Sequence, residues 1–224
     1  MFLESAACGP LQANCYLLAQ DEGQECVIID PGMDALDCVD SLVRHHRLSP
    51  AAVLATHGHV DHIGDAAVVA ARYQIPVWIR SEDRHLLSDP AAGLNPDMAA
   101  WLAMALPRPL VEPDQVELFD GVDTLHAAGL SLTVVPAPGH TRGSVLLVVG
   151  ADLAFTGDVL FAGSIGRTDM PGGDPATMLE TLRGPVLSLP DSARVLPGHG
   201  PASTMAVERA SNPYLRANFL NRYS

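Results

Sequence analysis

The chain has 224 residues, with 13 basic side chains against 26 acidic ones and a formal net charge of −13. Every basic side chain is arginine; with no lysine anywhere, a Schiff-base mechanism and a lysine-dependent P-loop are excluded. So acidic a chain also argues against nucleic-acid binding, which needs cations to neutralise phosphates, while 48% hydrophobic residues supply a sizeable core.

Taken in chain order, the N-terminus lacks the basic start and apolar run of a signal peptide. No stretch reaches the roughly 18 apolar residues of a membrane helix. Cys8, Cys15, Cys26 and Cys38 form no C-x-x-C pair, so reduced, packed thiols and a cytoplasmic location are expected. The pattern predicts strands over Asn14–Ala19 and Cys26–Asp30, a helix within Asp34–His46, a buried strand over Ala52–Thr56, a helix over Asp65–Tyr73 and a strand over Pro76–Ile79. Ser88–Pro113 carries Pro90, Pro96, Pro107, Pro109 and Pro113 around a short helical piece, Asp97–Leu106, bearing Met98, Trp101, Leu102 and Met104. It reads either as a flap over a site or as a surface helix packing its apolar stripe on the core.

The second half repeats the theme, with strands predicted over Val116–Phe119, Leu130–Val135, Ser144–Val149 and Leu153–Thr156. Asp174 and Pro175 signal a helix start. A last strand, Arg194–Leu196, is followed by a predicted helical tail, Met205–Asn221. Two halves of strands feeding helices predict an α/β fold, a four-layered αββα sandwich forming one domain over residues 1–224.

The chemistry concentrates in Thr56-His57-Gly58-His59-Val60-Asp61-His62. Alternate residues of an extended loop point the same way, so His57 and His59 can grip one ion. Where the loop turns into a helix, Asp61 and His62 swing towards a neighbouring position. Imidazole and carboxylate together suit zinc, iron or manganese. Further candidates follow predicted strands and sit beside glycine: His140, Asp158 and His199.

This T-H-x-H-x-D-H run, with the later His, Asp and His, resembles the metallo-β-lactamase fold superfamily. The resemblance extends from Asn14-Cys15-Tyr16-Leu17 and Asp30-Pro31-Gly32 to His199. It implies two divalent metal ions, zinc by preference, held by His57, His59 and His140 at one site and by Asp61, His62 and His199 at the other, with Asp158 bridging. Where lactam-cleaving members of the common class place a cysteine, this chain has Asp158, which argues against β-lactam cleavage. Asp158–Phe161, Ser164–Asp169 and Pro171–Asp174 look like the small glyoxalase II-like hydrolases, similar to hydroxyacylglutathione hydrolase. The resemblance implies hydrolysis of a small-molecule thioester by a metal-held hydroxide, which Asp61 orients as a catalytic residue. A persulfide dioxygenase, which shares the Gly166–Asp169 run, and a lactone hydrolase are the alternatives.

The larger glyoxalases II hold glutathione with basic residues of a helical C-terminal extension that this chain is expected to lack. The stretch after His199 offers only Arg209, Arg216 and Arg222. Arg167 takes the place of one glutathione-contacting lysine; it either pairs a substrate carboxylate or braces Asp169. Arg142, two residues beyond His140, is a second candidate substrate contact, and Asp30 either supports a metal ligand or caps a turn.

Overall fold

The computed structural model describes residues 1–106 and 109–221; Pro107 and Arg222, named above, lie outside them. The first half forms a six-stranded sheet in sequence order: β1 (Phe2–Cys8), β2 (Ala13–Ala19), β3 (Glu25–Ile29), β4 (Ser49–Leu54), β5 (Val77–Ile79) and β6 (Val116–Leu118). The second half supplies β7 (Thr124–Ala127), β8 (Leu130–Pro136), β9 (Val145–Val149) and β10 (Leu153–Gly157), then a small separate hairpin, β11 (Leu160–Phe161) and β12 (Ser164–Ile165), then β13 (Arg194–Pro197) and β14 (Ser203–Thr204). Apart from the hairpin, these strands make a second six-stranded sheet, ordered β14-β13-β10-β9-β8-β7.

The apolar runs of the central strands follow from what covers them. Successive side chains of a strand alternate between faces, so a strand covered on both faces reads as uninterrupted hydrophobic sequence. Leu17 and Ile28 pack against Val39 and Val69 on the helices Leu36–His46 and Ala66–Tyr73. Their neighbours Leu18 and Ile29 point the other way and meet Leu147 and Phe155 between the sheets. Leu146 and Ala154 turn outwards onto Met178 and Met205, on the helices Pro175–Thr181 and Met205–Ser211. The result is the expected αββα order of layers. The Asp174 side chain caps its helix as predicted, accepting from Thr177 N at 2.6 Å.

Some expectations are corrected. The tail is not one helix: it breaks into Met205–Ser211, a 3₁₀ turn Pro213–Leu215 and a short helix Ala217–Leu220. Pro213 cannot donate to a continuing helix and forces Asn212 into an extended conformation, with ψ at 119°. β1 was not signalled, because Glu4 and Ser5 interrupt its apolar pattern, yet it pairs with β2 along its whole length. β7 also escaped the reading; it pairs antiparallel with β8.

Strand direction positions the site. β3, β4 and β5 are parallel. β9 runs against both β8 and β10, and β10 is parallel to β13, so β8, β10 and β13 share a direction. The C-terminal ends of both groups lie at one edge, where the sheets are tied together. Val145 N donates to Thr56 O at 2.9 Å, and Asn14 N to Gly198 O at 2.7 Å. The Asn14 side chain donates to Pro197 O (3.0 Å) and Gly200 O (2.9 Å), and Tyr16 OH to Pro197 O (2.7 Å). None of the described helices is long and apolar enough to cross a membrane.

Phe155 is fully buried between the sheets and meets the Tyr16 ring edge-on at 5.2 Å. Phe155→Ala is expected to lower the free energy of unfolding by about 3–5 kcal/mol, read as a lower urea midpoint at unchanged slope.

Candidate metal centre

The chain leaves β4 and reaches His57 and His59, then closes a single helical turn, Val60–Ile63. His140 follows β8, Asp158 follows β10 and His199 follows β13. These strand ends converge, so all seven residues proposed as metal ligands come together. His57, His59 and His140 form one group, and Asp61, His62 and His199 another, each with ligand atoms within 4.8 Å of one another. Asp158 lies between the groups: its Oδ1 is 3.3 Å from His62 Nε2, and its Oδ2 is 3.6 Å from His140 Nε2 and 3.7 Å from His199 Nε2.

In each of three histidines one ring nitrogen is engaged by a supporting group, which leaves the other as the ligand. His62 Nδ1 donates to Asp30 Oδ2 at 3.0 Å, and His140 Nδ1 to the Arg167 carbonyl at 2.7 Å. His57 Nδ1 lies 3.1 Å from Thr56 Oγ1, which itself donates to Asp30 Oδ2 at 2.6 Å. Asp30 also accepts from Thr56 N at 2.7 Å. These bonds hold Asp30 at a φ of 52°, in the left-handed region, and they make it a support rather than a ligand.

The donor set fits divalent cations. His57 Nε2 and Asp158 Oδ1 are buried without a hydrogen-bond partner, a costly state that calls for a ligand. His59 Nδ1 and His140 Nε2 stand 2.8 Å apart, His62 Nε2 and His199 Nε2 3.4 Å, and His199 Nε2 and Asp61 Oδ2 3.1 Å. Atoms about 2.1 Å from a shared tetrahedral ion would be ~3.4 Å apart. Glycine is required beneath the cradle: a Cβ on Gly198 would lie 2.2 Å from Asp158 Oδ1 and 2.6 Å from His62 Cε1.

Electrostatics agree. Burial, aided by the neighbouring imidazoles, pushes His57 well below its ordinary value, and burial pushes His59 down to about 4, so both are neutral donors at pH 7. Burial works against the charges on Asp61 and Asp158, but His62 and the imidazoles around it outweigh it and hold both carboxyls low. Burial likewise opposes a charge on His62, yet Asp158, Asp61 and Asp30 lift it well above the usual imidazole range. His199 is raised too: its burial is outweighed by Asp61 and Asp158.

The two arginines singled out from the sequence behave differently from each other. Arg167 borders the pocket over the ligands, but its guanidinium is held by Asp169 in a two-point bridge of 2.7 and 2.8 Å. Its bracing role is therefore visible, and its carbonyl also orients His140. Arg142 is exposed and lines a neighbouring recess with Glu82 and His85, so it does not reach the pocket over the ligands.

One supporting residue escaped sequence reasoning. Asp83 is 2% exposed and accepts from Gly58 N (2.9 Å), Thr141 Oγ1 (2.6 Å) and Gly143 N (2.9 Å). It thereby ties the loop of His57 and His59 to the turn that carries His140. Its setting in Ser81-Glu82-Asp83-Arg84 reads as a solvated polar turn, and nothing in the sequence separates it from Glu82. The segment over the site packs an apolar stripe on the core, as the second reading expected, and also borders the pocket. Leu102 is buried in a cluster with Met33 and Val60, while Met98 and Trp101 border the pocket.

The profile of the Metallo-beta-lactamase superfamily matches residues 8–199, from the end of β1 to the last ligand. The chain belongs to the metallo-beta-lactamase superfamily. Membership makes it a metallo-hydrolase. It is 36% identical to a probable metallo-hydrolase of Bacillus subtilis, over 92% of this chain and 94% of the relative. It is 34% identical to the hydroxyacylglutathione hydrolase GloC of Haemophilus influenzae, again over 92% and 94%. Among solved structures, BLEG-1, named a B3 metallo-beta-lactamase, superposes with a TM-score of 0.84 at 35% identity, covering 96% of this chain and all (100%) of that one. TTHA1623, in a di-iron-bound form, gives 0.77 at 36% identity, with 95% and 100% covered.

Two outcomes are expected. Asp83→Asn turns one of the two accepting oxygens into a donor, so at least one of the three donors loses its partner, and it should weaken metal binding about 10–100-fold, measured by chelator competition. Because His62 and His199 are raised in the metal-free chain, a cation at the Asp61/His62/His199 set competes with protons for these imidazoles. Binding there should release about one to two protons and weaken as pH falls, read from calorimetry in buffers of different ionisation enthalpy.

Proposed function

We propose that the chain hydrolyses thioesters, releasing a carboxylic acid and a thiol. The observation that carries this reading is the convergence of a complete double ligand set, including Asp158, in a chain 34% identical along most of its length to a hydroxyacylglutathione hydrolase. His57, His59 and His140 would hold one divalent cation and Asp61, His62 and His199 the other, with Asp158 shared between them. When bound, the cations supply a water of lowered pKa and polarise the substrate carbonyl.

The chain's own groups do the rest. Asp61, kept ionised by its imidazole neighbours, borders the pocket and orients the attacking water by accepting a hydrogen bond from it. His57 and His59, kept neutral by burial, remain donors rather than acids. A thiolate leaves without a strong general acid, which matches a pocket whose ionisable lining consists of candidate ligands and the bridged Arg167.

A second reading has its own observation: the 35% identity to BLEG-1 favours opening of a β-lactam ring in the same pocket. The tests run side by side on protein of measured metal content. S-lactoylglutathione is assayed for thiol release, nitrocefin for ring opening, and a glutathione persulfide for oxygen uptake. Thiol release is expected, falling by about 10³-fold or more in His59→Ala and Asp158→Ala. Nitrocefin turnover without thiol release would replace the thioesterase by a lactamase. One iron per chain with oxygen uptake would replace it by a dioxygenase, and full activity in Asp158→Ala would remove Asp158 from the bridge.

A further inference from the structure

The pocket over the ligands is about 230 Å³, below the ~300–1,000 Å³ of most small-molecule sites. One side of it is made by the ligand residues. The other is apolar: Leu94, Met98 and Trp101 from the segment before β6, Leu11 from the turn between β1 and β2, and Met170 beyond β12. The wall is anchored to the ligand loop itself. Leu94 and Trp101 pack on a buried cluster that contains Val60, the residue between His59 and Asp61. Among the described residues the one arginine lining the pocket is Arg167, whose guanidinium is bridged to Asp169.

Resting on the thioesterase reading, we infer that the acyl group entering this pocket is a short unsubstituted alkanoyl chain rather than a 2-hydroxyacyl group. Against thioether, indole and isobutyl surfaces an alkyl chain loses water at a gain, whereas a hydroxyl gives up its water hydrogen bonds without a replacement. The volume admits a few carbons and leaves the thiol carrier at the open mouth.

The test is a series on one carrier: acetyl, butanoyl, hexanoyl and lactoyl thioesters of N-acetylcysteamine. Butanoyl is expected to exceed both acetyl and lactoyl in kcat/KM by about tenfold or more. Trp101→Ala should flatten the butanoyl-to-acetyl ratio and Trp101→Phe should preserve it. A flat series, or lactoyl ahead of butanoyl, would overturn the inference while leaving the thioesterase reading in place. Failure of every thioester would instead overturn that reading. The wall is then judged by calorimetry on metal-loaded protein: hexanohydroxamate binding about tenfold tighter than acetohydroxamate supports it, and equal affinities overturn it.

Discussion

Burial of ionisable groups is the constraint on which the rest of this structure depends. His57, His59, His62 and His140 are at most 7% exposed, and they crowd against Asp61 and Asp158 at a single edge of the sandwich. Taking such groups out of water costs several kcal/mol apiece unless each finds a partner. Protein partners satisfy only one side of the set: Asp30, Thr56 and the Arg167 carbonyl take the outward ring nitrogens of His62, His57 and His140. The inward atoms face one another at distances suited to a shared ion. Until a cation arrives, the compromise is a charged His62 among carboxylates, so protons and metal compete for the same cavity.

That constraint explains features that would otherwise look unrelated. Four ligand-bearing segments, after β4, β8, β10 and β13, must be held together, and neither sheet alone carries all four. Two sheets do, provided that their edges are locked, and the Asn14 and Tyr16 side chains perform this by clasping the turn before His199. Asp83 performs it across the other pair of loops. Glycines at 157 and 198 let the second sheet's turns pass close under the first: Gly157 has a φ of 46°, and a Cβ there would lie 2.4 Å from Thr56 Oγ1. Precision at the ligands is thus supplied by hydrogen bonds to backbone one step further out.

How much of this was legible in the sequence depended on how local the signal was. His57, His59, Asp61 and His62 are adjacent, and their density announces a metal before any fold is known. His140, Asp158 and His199 are scattered, but each follows an apolar strand and sits beside glycine. The covered strands could be read because both of their faces are apolar. β1 could not, since its adjacent polar residues Glu4 and Ser5 describe an edge strand no better than a loop. Asp83 was illegible for a deeper reason: its three donors belong to residues up to 60 positions away, so its burial is a property of the assembled edge. The helical tail was over-read because the apolar spacing continues through Pro213, whose ring stops the helix regardless. Arg142 looked suitable by its distance in sequence from His140, but the turn that presents His140 inward points the next-but-one residue outward.

The charge balance ties composition to site. A chain of formal charge −13 repels anions at long range, yet its pocket would hold two divalent cations against two ligand carboxylates. Among the described residues lining the pocket the one arginine, Arg167, is bridged to Asp169, and the chain has no lysine, so local excess positive charge would then come chiefly from the metals. Attraction to a substrate carbonyl, or to the carboxylate formed from it, would accordingly be short-ranged and directed to the ligand cradle, while the remainder of the pocket contributes only apolar contact. On the proposed thioesterase reading, such a site would discriminate little by the charge of a distant carrier and strongly by the shape and polarity of what lies next to the scissile bond.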